Sequence, residues 1–161
     1  LRQAERTQQE FSMNHHRLVL SVVSMGSLIL LGACGMAPMA STSTTLTARL
    51  SGAGEVPAVT TDAAGVLEAN LAPGSNVLTW KLSYSGLSGP ATGAHFHGPA
   101  MAGQNAAVAV PIGAPLGSPI TGSATLTPGQ VADLTAGKWY VNLHTAANPN
   151  GEARGQVTMR P

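Results

Sequence analysis

From Leu46 onward, apolar and polar residues alternate with period two in short stretches separated by Gly, Pro and Asn. Such alternation puts every second side chain on one face of an extended chain, so it predicts half-buried strands rather than helices. Between Asn76 and Ser85, the residues Leu78, Trp80, Leu82 and Tyr84 share one face, which is the candidate core face. Val77, Thr79, Lys81 and Ser83 share the other. Trp139, Val141 and Leu143 alternate in the same way against Tyr140, Asn142 and His144. Further strands are predicted at Thr47 to Leu50, Val66 to Leu71, Ala107 to Ile112, Ile120 to Leu126 and Ala153 to Met159. One segment departs from the pattern: Thr127-Pro128-Gly129-Gln130 followed by Val131 and Leu134 predicts a short helix, with Thr127 as N-cap, Pro128 in the first position and Gly137 as its end. The expected fold class is all-β, an antiparallel sandwich or barrel with one short helix, spanning residues 46–161.

The preceding segment has a different pattern. Met13-Asn-His-His-Arg17 gives a short positive start, and Leu18 to Leu31 gives an apolar run short for a membrane span. The run closes with Leu31-Gly32-Ala33-Cys34. This resembles the lipobox of bacterial lipoproteins, in which the cysteine thiol is lipidated. The expectation is a signal peptide over 13–33, a lipidated Cys34, and a flexible tether over 34–45 that is rich in Ala, Ser, Thr, Pro and Met. Residues 1–12 carry charge without an apolar period and are read as a gene-start extension. Lipidation implies a cell-envelope protein, periplasmic or on the cell surface. Gly35 lacks the Asp associated with inner-membrane retention, which favours the outer membrane.

Composition narrows the partners. Charged residues make up 9% of the chain and the net charge is +1, so no clustered Lys and Arg are available to neutralise a phosphate backbone, and nucleic acid is excluded as a partner. From Cys34 onward, Arg49, Lys81, Lys138, Arg154 and Arg160 balance Glu55, Asp62, Glu68, Asp133 and Glu152. With a single cysteine, no intrachain disulfide forms and the core is held by packing.

Several motifs occur in order. They are Leu50-Ser-Gly-Ala-Gly-Glu-Val-Pro57, Gly93-Ala-His-Phe-His-Gly-Pro99, the Leu-Thr-Pro-Gly-Gln segment at Leu126, and Tyr140-Val-Asn-Leu-His144 through Asn148-Pro-Asn-Gly-Glu-Ala-Arg-Gly-Gln156. Together they resemble the chordin-type (CHRD) domain over roughly residues 46 to 159. The resemblance implies an extracytoplasmic sandwich of the immunoglobulin-like or superoxide-dismutase-like kind. It leaves the activity open, because a fold does not determine a function.

The candidate chemistry lies in histidines. If residues 93–98 are extended, His95 and His97 project from one face and Phe96 from the other, toward the core. His144 lies on the face opposite Trp139, Val141 and Leu143, so the three imidazoles can converge across neighbouring strands. Imidazole nitrogens suit copper and zinc, and the expectation is a mononuclear site formed by His95, His97 and His144. The other reading is that these side chains cap strands and bond loop backbone. Met101 is a candidate axial thioether. Gly93 to Gly98 is also similar to the strand that supplies copper ligands in copper/zinc superoxide dismutases, but the full dinuclear site needs more histidines than the three in the domain from Leu46 onward, so that activity is not expected.

Glu152 and Arg154, at spacing two, are expected to form a structural ion pair, with the alternative that Glu152 orients a ligand histidine. Asn148-Pro-Asn-Gly151 reads as a turn that places Glu152. No nucleophile elbow, phosphate loop or paired carboxylates are present, so hydrolase chemistry is not expected. Two functional readings follow. One is a lipid-anchored metal-binding protein, with weak scope for copper redox chemistry. The other is a non-catalytic adhesion or matrix module that binds an envelope protein or polysaccharide.

Overall fold

The computed structural model describes residues 42–160. The expected signal peptide, Cys34 and most of the tether lie outside the described residues. Eight strands form: β1 (Thr44–Ser51), β2 (Ala64–Leu71), β3 (Val77–Ser85), β4 (Ala91–His97), β5 (Val108–Pro111), β6 (Ile120–Thr125), β7 (Trp139–Thr145) and β8 (Ala153–Met159). Among the described residues a single α-helix, α1 (Pro128–Thr135), precedes β7. β1 begins at Thr44, two residues before the expected start of the domain, because its Thr44 and Thr45 already pair with Leu71 and Asn70 of β2. Among the described residues, no helix is long and apolar enough to cross a membrane.

The strands run antiparallel in the order β5-β4-β7-β8-β1-β2-β3-β6. The sheet is continuous, with β5 and β6 at its edges, and it folds over on itself in a sandwich-like all-β fold. Strands far apart in that order meet across the core, where the Trp80 ring of β3 meets the Phe96 ring of β4 edge-on at 5.2 Å; Trp139 of the neighbouring β7 lies 6.1 Å from Phe96. The alternating residues do what their spacing predicts. Leu78, Trp80 and Leu82 are buried with Leu46, Leu67, Phe96, Val141 and Leu143. Room for this packing comes from glycine at one close approach, since a Cβ on Gly122 would stand 2.6 Å from the Trp80 ring.

The helix follows from its ends. Thr127 accepts from the Gln130 amide at 3.2 Å and its own amide donates to Gln130 Oε1 at 2.9 Å, so the two residues form a capping box. Gly137, at φ +72°, ends the segment in the left-handed region, and the Lys138 amide closes back on the Asp133 carbonyl at 2.9 Å.

The reverse face of β4, β7 and β8 differs from expectation. Polar residues opposite a core face normally meet solvent, yet Tyr140, Asn142 and Arg154 are buried. The chain from Gly98 to Ala107 folds back over them. Its anchors are the Gly98 amide on Ala107 O, the Ala100 amide on Lys138 O, and Gln156 Nε2 on Ala100 O at 2.9 Å. A second, polar interior results, and the histidines lie in it.

Candidate metal centre

Strand pairing sets the geometry. On β4, Gly93, His95 and His97 share one face, and their cross-strand partners on β7 are His144, Asn142 and Tyr140 respectively. Phe96 points the other way into the core, as the alternation requires. Gly93 leaves space for the rings: a Cβ there would stand 3.2 Å from His95 Cε1 and 3.4 Å from His144 Cδ2.

The structure brings His95, His97 and His144 together, with one nitrogen of each lying within 4.8 Å of the others. His95 Nδ1 is 3.0 Å from His144 Nε2. The Nδ1 nitrogens of the other two rings are tied to backbone: His97 Nδ1 to Ala106 O at 3.0 Å, and His144 Nδ1 to Pro149 O at 3.0 Å. A carbonyl oxygen only accepts, so each Nδ1 carries the proton and each Nε2 of a neutral ring presents a lone pair. Both Nε2 atoms also face Asn142 Oδ1, at 3.1 Å from His97 and 3.0 Å from His144.

The surroundings of His95 and His144 favour their neutral forms. Burial pushes the His95 imidazole below its ordinary value, and the neighbouring His144 and His97 push it the same way. Burial lowers His144 as well, against the Pro149 hydrogen bond that raises it, and His97 adds to the lowering. A neutral imidazole is the form that ligates a metal.

Other residues brace the cluster. His97 stacks on Tyr140 with centroids 4.7 Å apart and planes 2° from parallel, and the Arg154 guanidinium lies 3.4 Å from the Tyr140 centroid. Arg154 is itself fixed by Asn105 Oδ1 at 2.8 Å and Gln104 O at 2.6 Å, while Asn105 Nδ2 donates to Val56 O at 2.9 Å. Glu55 is buried near Arg154 and Asn142. Burial pushes Glu55 up to about 7, against the pull of Arg154, Asn142 and the Val56 amide.

Glu152 takes a different role from the expected ion pair with Arg154. Its carboxylate is fully buried just before β8 and accepts from Thr61 Oγ1 (2.8 Å), the Ser88 amide (2.8 Å), Ser88 Oγ (2.6 Å) and Thr145 Oγ1 (2.5 Å). Arg154 turns instead to the 98–107 loop. Burial alone would raise the Glu152 pKa, but these donors outweigh it and hold the group at about 2. These donors leave no histidine on Glu152. It pins the turn that carries Pro149, and so acts on His144 only through the backbone. Met101 is 55% exposed in the turn after β4 and gives no support to an axial thioether.

Asn142, Glu55 and Tyr140 were not expected at the site. The signal for Asn142 and Tyr140 was present, because both alternate in register with His144 on the same strand face. Glu55 carried none, since a buried carboxylate beside a strand end depends on tertiary approach.

No curated protein and no solved structure matches the chain with significance. The family model of the CHRD domain matches residues 46–157, which is most of the chain and contains every strand-borne residue of the cluster. The chain therefore belongs to the CHRD domain family.

Proposed function

We propose that this is an exported, lipid-anchored CHRD-domain protein of the cell envelope that holds one copper or zinc ion through His95, His97 and His144. The observation that carries the metal reading is the convergence of three imidazole nitrogens within 4.8 Å. Two of those rings donate their Nδ1 protons to backbone carbonyls. That is the usual support of a ligand histidine, fixing tautomer and ring orientation while freeing the other nitrogen. A tetrahedral ion with nitrogen ligands at about 2.0–2.1 Å needs them about 3.3 Å apart, so small side-chain shifts suffice. Export and anchoring are supported by the apolar run that ends in Leu31-Gly32-Ala33-Cys34. Binding rather than turnover is the role these features support.

Titration of the purified protein with Zn(II), Cu(II) and Cu(I), beside a variant with His95, His97 and His144 replaced by alanine, tests the proposal. The expected result is one ion bound per chain in the wild type and none in the variant. Equal binding by both, or none by either, refutes it and leaves the histidines as structural groups of an interaction module.

A further inference from the structure

The three-histidine reading leaves one buried polar group unexplained. Asn142 is 2% exposed, and its Oδ1 stands 3.1 Å from His97 Nε2 and 3.0 Å from His144 Nε2. Those nitrogens present lone pairs, because their rings have committed the Nδ1 protons to Ala106 O and Pro149 O. His144 Nε2 already faces His95 Nδ1 at 3.0 Å, but Asn142 Oδ1 and the His97 Nε2 of a neutral ring are both acceptors, and a cation between them would satisfy both.

The carboxamide oxygen faces the two imidazole nitrogens, which leaves its NH₂ end for the buried Glu55 carboxyl beside it. Gly151 makes room for that carboxylate: at φ +130° it takes a backbone shape that other residues rarely adopt, and a Cβ there would stand 2.5 Å from Glu55 Oε1. The backbone of Asn142 is equally fixed, since it pairs with His95 on one side and Arg154 on the other, at the centre of three strands.

We infer that the side-chain oxygen of Asn142 is a fourth ligand of the ion, giving a His95–His97–His144–Asn142 donor set selective for a divalent metal over Cu(I). The inference rests on the three-histidine reading. A carboxamide oxygen is a hard donor, and no thiolate or thioether joins the set, so Zn(II) and Cu(II) gain from it and Cu(I) does not. Four protein ligands also close the coordination sphere, as in sites that hold an ion rather than in those that keep a position for water.

Two measurements test this. In the first, Zn(II) is added to isotope-labelled wild-type protein and the side-chain carboxamide resonances are followed. The Asn142 carbonyl carbon and amide protons shift well beyond those of Asn70, Asn105 and Asn148, and an unmoved Asn142 signal overturns the inference. In the second, Asn142→Leu and Asn142→Asp are compared with wild type for Zn(II) and Cu(I) affinity. The Leu variant loses at least about ten-fold in Zn(II) affinity with Cu(I) affinity little changed, and the Asp variant retains Zn(II) binding. Zn(II) binding that needs the three histidines but is unchanged in Asn142→Leu overturns the fourth ligand and leaves the three-histidine site intact. Absence of Zn(II) binding in wild type removes the underlying reading. The labelled wild type keeps the question answerable if the Leu variant fails to fold.

Discussion

Replacing Glu152 by Gln keeps its volume and removes its charge, which isolates what the carboxylate contributes. Four donors meet it at 2.5–2.8 Å, from Thr61, Ser88 (twice) and Thr145. Hydrogen bonds to a charged group contribute about 1.5–3 kcal/mol each, against about 1 kcal/mol for neutral ones. The loss of charge assistance over four contacts is partly offset by hydroxyls that rotate to accept from the new NH₂, so Glu152→Gln is expected to cost about 2–3 kcal/mol. Glu152→Ala strands the same donors against a void and is expected to cost about 4–5 kcal/mol. The pH dependence follows from the depressed pKa. Below its ordinary value of 4.5 the unfolded state takes up a proton that the folded state refuses until about 2. The stabilisation is therefore complete above 4.5 and is lost as pH falls from there toward 2. Urea unfolding of metal-free protein at pH 7, 5 and 3 reads both effects, with the gap between wild type and Glu152→Gln narrowing only at the lowest pH. A gap below about 0.5 kcal/mol at pH 7, or one that persists undiminished at pH 3, would falsify the reasoning.

Other expectations concern the core and the second interior. Phe96 is fully buried between Trp80 and Trp139, so Phe96→Ala should cost about 3–5 kcal/mol and lower the melting temperature by more than about 10 °C; a loss under about 1 kcal/mol would show that the rings do not pack as described. Glu55, raised to about 7, acts in the opposite sense to Glu152: from 4.5 upward the unfolded state releases a proton that the folded state keeps, so metal-free protein loses stability as pH rises toward 7 and then levels off. Glu55→Gln should abolish that decline in the unfolding curves, and an unchanged slope would contradict the burial of this carboxyl.

The strands were legible where large apolar residues alternate, as in Leu78-Trp80-Leu82 and Trp139-Val141-Leu143, because period two has only one buried solution. The helix was legible from Thr127, Pro128 and Gly137, since capping is a local interaction. The shared face of His95 and His97 followed from the same alternation, and convergence with His144 was open until β4 and β7 were paired. The second interior was not legible. Its cover, residues 98–107, has no periodicity, and a polar strand face signals solvent unless something folds over it. The partners of Glu152 were hidden for a related reason: Thr61 and Ser88 come from distant loops, whereas Arg154 stood two residues away and offered the nearer but wrong partner. Sequence proximity favoured an ion pair, and the loop carbonyls took the guanidinium instead.

X-ray absorption at the metal edge of the zinc- or copper-loaded protein reads the ligands of the ion themselves, because imidazole rings leave a distinctive outer-shell scattering pattern. One ion per chain with three imidazole nitrogens at about 2.0–2.1 Å is expected, with loss of that pattern when His95, His97 and His144 are replaced by alanine. A shell of oxygen ligands without imidazole scattering, or the same spectrum from the histidine-free variant, would contradict it.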